Sequence, residues 1–371
     1  MIPVFNPSVG EEELRNVEDA IRTNWISSKG KYIPEFEEKF ARYCDAKYGV
    51  TTTNGTTALH LALACIGIEP GDEVIIPNFT IISTALAVHY LGAKPIFVDV
   101  EEETGNIDVK KIEEKITPKT KAIMPVHIYG HPCDMDEINE LAKKYKLYVI
   151  EDAAEAHGAE YRGKKVGAIG NIGCFSFYSN KLITTGEGGM IITNDEKIYK
   201  KAQSLKDLAF GKENRFEHEE IGFNYRMTNI KAAIGVGQMK KINIFLEKKI
   251  ENAQLYNSLL KNIPGIKIPF TKDYVKNSYW MYTIRVDPSF GISKNEMRKK
   301  LLEEGIDTRD YFFPLNEQPI FRKLGISSNE EFPISKKLSN EGIYLPFGMD
   351  LKKEEIKYIC YTIEKIMQKR L

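Results

Sequence analysis

The chain of 371 residues carries 52 basic and 52 acidic side chains, a formal net charge of zero. That balance gives no global field toward nucleic acid or an anionic membrane and suits an enzyme of small molecules. Chains beyond about 250 to 300 residues usually divide, so two domains are expected. Five scattered cysteines, Cys44, Cys65, Cys133, Cys174 and Cys360, have no CxxC pairing and read as free thiols of a reducing cytoplasm.

The N-terminal run Met1-Ile2-Pro3-Val4-Phe5-Asn6-Pro7 lacks a basic region and soon reaches Glu11-Glu12-Glu13, so it does not read as a signal peptide. Further on, Asn54-Gly55-Thr56-Thr57-Ala58-Leu59-His60 places small and hydroxyl residues at a predicted helix start. Free amides and the helix dipole favour a phosphate there, although a plain N-cap explains the pattern equally well. The apolar stretch 58–68 is too short to span a bilayer and reads as a buried helix, with His60 structural.

β-rich runs at 74–76, 95–100, 122–126, 147–152, 174–178 and 190–193 alternate with helical stretches. This predicts an open, mostly parallel α/β sheet, whose ligands bind beyond the carboxyl ends of the strands. Asn78, Asp99, His127, Glu151 and Asp152 stand at such ends and are candidates by position.

Between the aromatic run Cys174-Phe175-Ser176-Phe177-Tyr178 and the turn Thr184-Thr185-Gly186-Glu187-Gly188-Gly189 stands one lysine, Lys181. Most lysines are solvated surface charges. One held on a loop fixed at both ends, away from bulk water, has a lowered pKa and can attack a carbonyl. The glycines lack the GxGxxG spacing and lead into a strand, which argues against a dinucleotide fingerprint.

From about residue 240 the pattern shifts to a lysine-rich amphipathic helix over 240–260, a strand over 280–286, and helices near 293–304 and 352–367. The expected division is a large α/β domain over 1–240 and a smaller α+β domain over 241–371, with the charge runs on solvated helix faces. The six histidines show no metal-ligand spacing, so no catalytic metal is predicted. For His127 and His157 a substrate contact stays open beside the commoner structural role.

Taken in order, the phosphate turn, strand-end Asp152, Lys181 and the glycine turn resemble a fold-type-I pyridoxal-phosphate enzyme of the sugar-nucleotide aminotransferase family. The likeness runs over nearly the whole chain. It is carried also by Trp25-Ile26-Ser27-Ser28-Lys29-Gly30-Lys31-Tyr32, Val126-His127-Ile128-Tyr129-Gly130, Glu151-Asp152-Ala153-Ala154-Glu155-Ala156 and Asn224-Tyr225-Arg226-Met227-Thr228. The resemblance implies that Lys181 is the catalytic residue, joined to pyridoxal 5'-phosphate and moving the substrate proton, and that Asp152 pairs with the cofactor's ring nitrogen. It implies that Gly55, Thr56, Thr57 and Ser176 bind the cofactor, with Gly55, Thr56 and Ser176 matching the family's phosphate ligands. Asn224 would reach the phosphate from a neighbouring subunit, hence a homodimer with shared active sites.

Ile81 stands where many relatives stack an aromatic ring on the cofactor, and Glu155 where many have Gln. Beside a phenolate an ionised carboxylate is repelled, so Glu155 is expected to be protonated at rest. The implied substrates are L-glutamate and the C4 keto carbon of a nucleotide-linked 4-keto-6-deoxyhexose. GDP-4-keto-6-deoxymannose is the first expectation and a UDP- or dTDP-linked sugar the alternative. The loop 309–316 resembles the family's sugar-side loop, with Asn316 where His is expected, and Lys29 and Lys31 are candidates for a substrate diphosphate. A related dehydratase has His in place of the lysine, and a non-catalytic binding protein of this fold would have no chemical need for it, so Lys181 disfavours both.

Overall fold

Aliphatic and aromatic runs build nine strands in the first half of the computed structural model, which describes residues 1–211, 213–327 and 330–368. They are β1 (Tyr48–Thr52), β2 (Glu73–Pro77), β3 (Lys94–Val98), β4 (Thr120–Ile123), β5 (Tyr148–Asp152), β6 (Glu160–Tyr161), β7 (Lys164–Lys165), β8 (Ile172–Ser176) and β9 (Gly189–Thr193). All but β6 and β7 join one sheet in the order β1-β9-β8-β5-β4-β2-β3. Strands β2, β3, β4, β5 and β8 pair in parallel, and β9 runs antiparallel to both β8 and β1. The sheet is thus mostly parallel, as the alternation predicts. Strand β1 is absent from the sequence reading because its threonines run straight into the Asn54 turn and look like part of it.

The helices are α1 (Glu11–Arg22), α2 (Tyr32–Tyr43), α3 (Gly55–Cys65), α4 (Ile82–His89), α5 (Met135–Tyr145), α6 (Glu196–Lys206), α7 (Asn229–Met239) and α8 (Ile242–Leu260). Because side chains alternate along a strand, the sheet feeds two cores. Ile75, Val149, Phe175, Met190 and Ile192 pack with α2, α5 and α7 on one face. Val74, Ile76, Ile150, Ile172, Cys174 and Ile191 pack with α3, α4 and α6 on the other. Helix α3 is buried from Ala58 to Leu63, so helices cover both faces of the sheet, the layering that a parallel sheet requires.

The remaining strands are β10 (Ile266–Lys267), β11 (Val275–Lys276), β12 (Thr283–Val286), β13 (Arg309–Asp310) and β14 (Gly342–Tyr344), with helices α9 (Lys294–Glu303), α10 (Pro319–Lys323), α11 (Pro333–Glu341) and α12 (Lys353–Gln368). A second sheet of order β10-β12-β14-β13 forms here, and β11 extends the β6-β7 pair. The expected strand over 280–286 begins only at Thr283, because Tyr279 takes a left-handed φ of 48° and redirects the chain. The lysine-rich helix begins at Ile242, and one of its lysines departs from the solvated-face reading: Lys249 is 2% exposed. The N-terminus crosses over to this half of the chain, where Ile2 bridges Ile306 and the Val4 carbonyl accepts the Phe347 N–H at 2.8 Å.

Three of the positional candidates, Glu151, His127 and Asp99, hold the frame. Glu151 is fully buried and accepts the N–H groups of Gly167, Ile169 and Gly170 at 2.7, 2.8 and 2.6 Å and the His127 ring at 2.9 Å. His127 Nδ1 in turn accepts the Cys133 N–H at 3.0 Å, so the ring proton is on Nε2, facing the carboxylate. Glu151→Gln turns an NH2 toward N–H donors and is expected to lower unfolding stability by about 3–5 kcal/mol, read from urea denaturation. Asp99 accepts the Ile334 and Ser335 N–H groups at the start of α11 and likewise serves the frame.

Candidate active site

The carboxyl ends of β5 and β8 and the start of α3 face one cavity of about 390 Å³. Gly55, Thr56, Ile81, Asp152, Glu155, Ser176 and Lys181 all line it. Strand register brings them together: Asp152 lies opposite Cys174, and Ser176 pairs with Gly189 at the end of the lysine loop. That loop is closed at its base, with Phe177 N–H on the Gly188 carbonyl at 2.8 Å and Thr185 N–H on the Phe177 carbonyl at 3.0 Å.

Lys181 is 8% exposed, and its Nζ lies 3.8 Å from the centroid of the Trp280 ring. Burial pushes the amine below the usual lysine range, against the opposing pull of the Glu155 and Asp152 carboxyls. Asp152 is buried too, with Oδ2 accepting the Thr84 hydroxyl at 2.9 Å and Oδ1 the Ala154 N–H at 3.2 Å. Burial raises its carboxyl, and those two donors and Lys181 only partly offset it.

Glu155 accepts the Tyr129 N–H at 2.9 Å. Its carboxyl is pushed up to about 7, first by burial and further by Asp152, with Lys181 and the Tyr129 N–H opposing. The Tyr129 backbone is itself left-handed, at φ 52°. The next residue must be glycine, because a Cβ on Gly130 would stand 2.6 Å from Ser278 Oγ and 2.7 Å from the Tyr279 nitrogen. Residues 129–130 and 278–280 therefore clasp one another, with Trp280 N–H on the Tyr129 carbonyl at 3.0 Å.

The start of α3 could receive an anion. Asn54 caps the helix by accepting the Thr57 N–H at 2.9 Å, and the Thr57 hydroxyl accepts the Asn54 N–H at 3.1 Å. Thr57 is thus occupied in the capping box and does not line the cavity. The first helical amides have no intrahelical acceptor and open toward Ser176. A Cβ on Gly55 would meet the Ser176 Cβ at 2.8 Å, so glycine permits the close approach.

These residues fit pyridoxal phosphate: an amine with a lowered pKa, a buried carboxylate short of a cation, and a hydroxyl-lined helix start for a phosphate. Ile81 lies at the cavity mouth, 46% exposed. Asn224 is exposed and outside the cavity, its Oδ1 accepting from Arg226 at 2.9 Å. Asn316 is locked to Asn78 by a reciprocal pair at 2.8 and 2.9 Å. Lys31 pairs with Asp19 at 2.8 Å. His157 is buried against Phe40, Phe175 and Phe177, and His60 meets the Tyr225 hydroxyl at 3.1 Å.

Sequence reasoning gave no role to Ser83, Thr84, Tyr178, Asn180, Glu187 or Trp280, although Tyr178, Asn180 and Glu187 stand within the motifs around Lys181. All but Thr84 line the cavity, and Thr84 holds Asp152. Trp280, one of only two tryptophans, in the aromatic cluster Tyr279-Trp280-Met281-Tyr282, carried the one signal that could have found it.

A buried lysine and a buried strand-end aspartate sharing a cavity at the carboxyl edge of a mostly parallel sheet define a fold-type-I pyridoxal-phosphate enzyme. The chain belongs to the DegT/DnrJ/EryC1/StrS aminotransferase family, whose model matches residues 7–364. It is 44% identical to a GDP-perosamine synthase of Escherichia coli O157:H7 over 98% of each chain. It is 41% identical to the GDP-perosamine synthase of Caulobacter vibrioides, covering 99% of this chain and 98% of that one. The solved aminotransferase of Psychrobacter cryohalolentis superposes with a TM-score of 0.93 at 32% identity over 98% of both chains. The protein is accordingly a pyridoxal-phosphate-dependent sugar aminotransferase. No helix among the described residues is long and apolar enough to cross a membrane.

Proposed function

We propose that the protein moves an amino group from L-glutamate to C4 of GDP-4-keto-6-deoxymannose, giving GDP-perosamine. The observation that carries this reading is the Lys181–Asp152 cavity in a chain 44% identical to a GDP-perosamine synthase over nearly its full length. Pyridoxal phosphate, when bound, supplies the electron sink for the carbanion left as a proton leaves the amino donor. Asp152 would keep the ring nitrogen charged, and Gly55, Thr56 and Ser176 would hold the phosphate. Lys181 Nζ takes the proton from the donor Cα and, in the second half-reaction, delivers one to C4 of the sugar. Burial disfavours the charged amine and so favours the neutral form that this step needs. Donor and acceptor use one site in turn, so the kinetics are ping-pong.

Asn224 serves the neighbouring subunit's phosphate in a homodimer with shared sites. Its exposure outside its own cavity supports this, as do the exposed apolar side chains of Trp25, Ile26, Ile81, Tyr178 and Ile221. The division into 1–240 and 241–371 is supported by the separate core of α8, α9, α12, β12 and β14. A cytoplasmic setting accords with the five free cysteines.

The test is the visible absorption of the protein loaded with pyridoxal phosphate. L-glutamate is expected to remove the band, and the GDP-linked 4-keto sugar to restore it. Recovery only with a UDP- or dTDP-linked sugar moves the acceptor, and no response to glutamate overturns the reading.

Glu155 gives a second readout. Its anion, formed as pH rises through about 7, stabilises positive charge at Lys181, and glutamine is neutral at every pH. Glu155→Gln is therefore expected to shift the pH midpoint of the visible band downward, and an unchanged midpoint removes the coupling.

A further inference from the structure

Lys249 lies on the apolar stripe of α8, in line with Ile242, Phe245, Leu246, Ala253, Tyr256 and Leu260. Its ammonium is caged without a carboxylate partner among the described residues. Nζ donates to the Trp280 carbonyl at 3.0 Å and to the Phe347 carbonyl at 2.6 Å, and it faces the rings of Phe347 at 4.2 Å and Phe5 at 5.0 Å. Burial drives its pKa well down. An apolar side chain at such a position is commonly neutral or stabilising, because the desolvation of an isolated cation is avoided. A lysine there places donors at two carbonyls, that of Phe347 and that of Trp280.

The Trp280 carbonyl belongs to the wall behind Lys181. Trp280 is held by its N–H on the Tyr129 carbonyl at 3.0 Å, by its indole N–H on the Asn180 carbonyl at 2.9 Å, and by Lys249 on its own carbonyl. The preceding residue, Tyr279, is left-handed at φ 48°, and so is Tyr129 across the clasp. Non-glycine residues keep such backbone only where their surroundings impose it.

We propose that Lys249 is a positioning residue: its buried amine fixes the Trp280 backbone and thereby the indole against which the Lys181 amine lies. The proposal rests on the reading of Lys181 as the reactive amine. Lys249 does not line the cavity and acts through Trp280, which does.

The chain has two tryptophans, Trp25 and Trp280, so Trp25→Phe leaves Trp280 as the sole reporter. In that background Lys249→Met is expected to shift Trp280 emission to the red and raise its quenching by acrylamide, with the overall circular dichroism retained. The same variant loaded with pyridoxal phosphate is expected to lose about tenfold in kcat with little change in KM for glutamate. Lys249→Arg, which keeps a cation and its donors, restores both readouts. Parental emission and quenching overturn the proposal, and so does a red shift without loss of kcat. Should Lys249→Met not fold, Lys249→Gln is judged by the same criteria. If neither folds while Lys249→Arg does, the lysine is purely structural and the proposal falls. The fluorescence is read without cofactor, so failure of the amino-transfer reading shows separately, as a parent protein whose absorption ignores glutamate.

Discussion

Lys181→Ala is expected to lower kcat for amino transfer by about 10⁴-fold or more, with the fold intact. The size follows from two roles in one atom. As nucleophile, Nζ is the proposed point of attachment for the cofactor aldehyde, and as acid/base it is the proposed carrier of the substrate proton. Geometry supports both. The side chain is buried, its loop is closed at the base by Phe177, Thr185 and Gly188, and its amine lies 3.8 Å from the centre of the Trp280 ring. A ring face attracts the charged amine by about 0.5–2 kcal/mol, while burial favours the neutral one and lowers its pKa against the pull of the Glu155 and Asp152 carboxyls. Lys181→Arg should therefore fail almost as completely, since a guanidinium never gives up its proton at accessible pH. Steady-state rates and the visible spectrum of both variants decide the matter. Substantial activity in the alanine variant would assign the proton to another group.

The second large effect is expected at Asp152. Asp152→Asn keeps the shape and the Thr84 hydrogen bond but removes the charge proposed to face the cofactor's ring nitrogen. A loss in kcat of about 10²–10³-fold is expected, the range for removing one preorganised electrostatic partner. Affinity for pyridoxal phosphate should fall as well, read as a smaller rise in Tm on adding the cofactor. Stability without cofactor should respond in the opposite sense. Burial raises the Asp152 carboxyl above its ordinary value, so the folded state loses stability as pH rises from that ordinary value through the raised one. Asparagine removes this loss, and the variant without cofactor is expected to be the more stable of the two at neutral pH. A parental kcat in Asp152→Asn would exclude the aspartate from the reaction.

What sequence reading could reach followed locality. The parallel strands appear as short aliphatic runs because burial on both faces leaves no other pattern, and Asp152 and Lys181 stand beside such runs. Strand β1 was hidden because threonine serves strands and caps alike. Thr57 sits within the motif that resembles a phosphate site, yet its hydroxyl is engaged in the helix cap, a division of labour among neighbours that residue type cannot express. Trp280, Thr84 and Lys249 become parts of the site only through tertiary packing. Lys249 in particular breaks the rule that lysines on an amphipathic helix face water, and only the position of a carbonyl supplied 31 residues later in the chain explains it.

The joining of distant segments also sets a timetable for synthesis. The lysine loop and its strand-end aspartate are made within the first 190 residues, but the indole wall comes at residue 280, and the second carbonyl that anchors Lys249 comes at residue 347. Phe347 in turn donates its N–H to the Val4 carbonyl, so the clasp joins segments far apart in the chain. Until residue 280 has been made and packed, the Lys181 amine therefore lacks its indole wall.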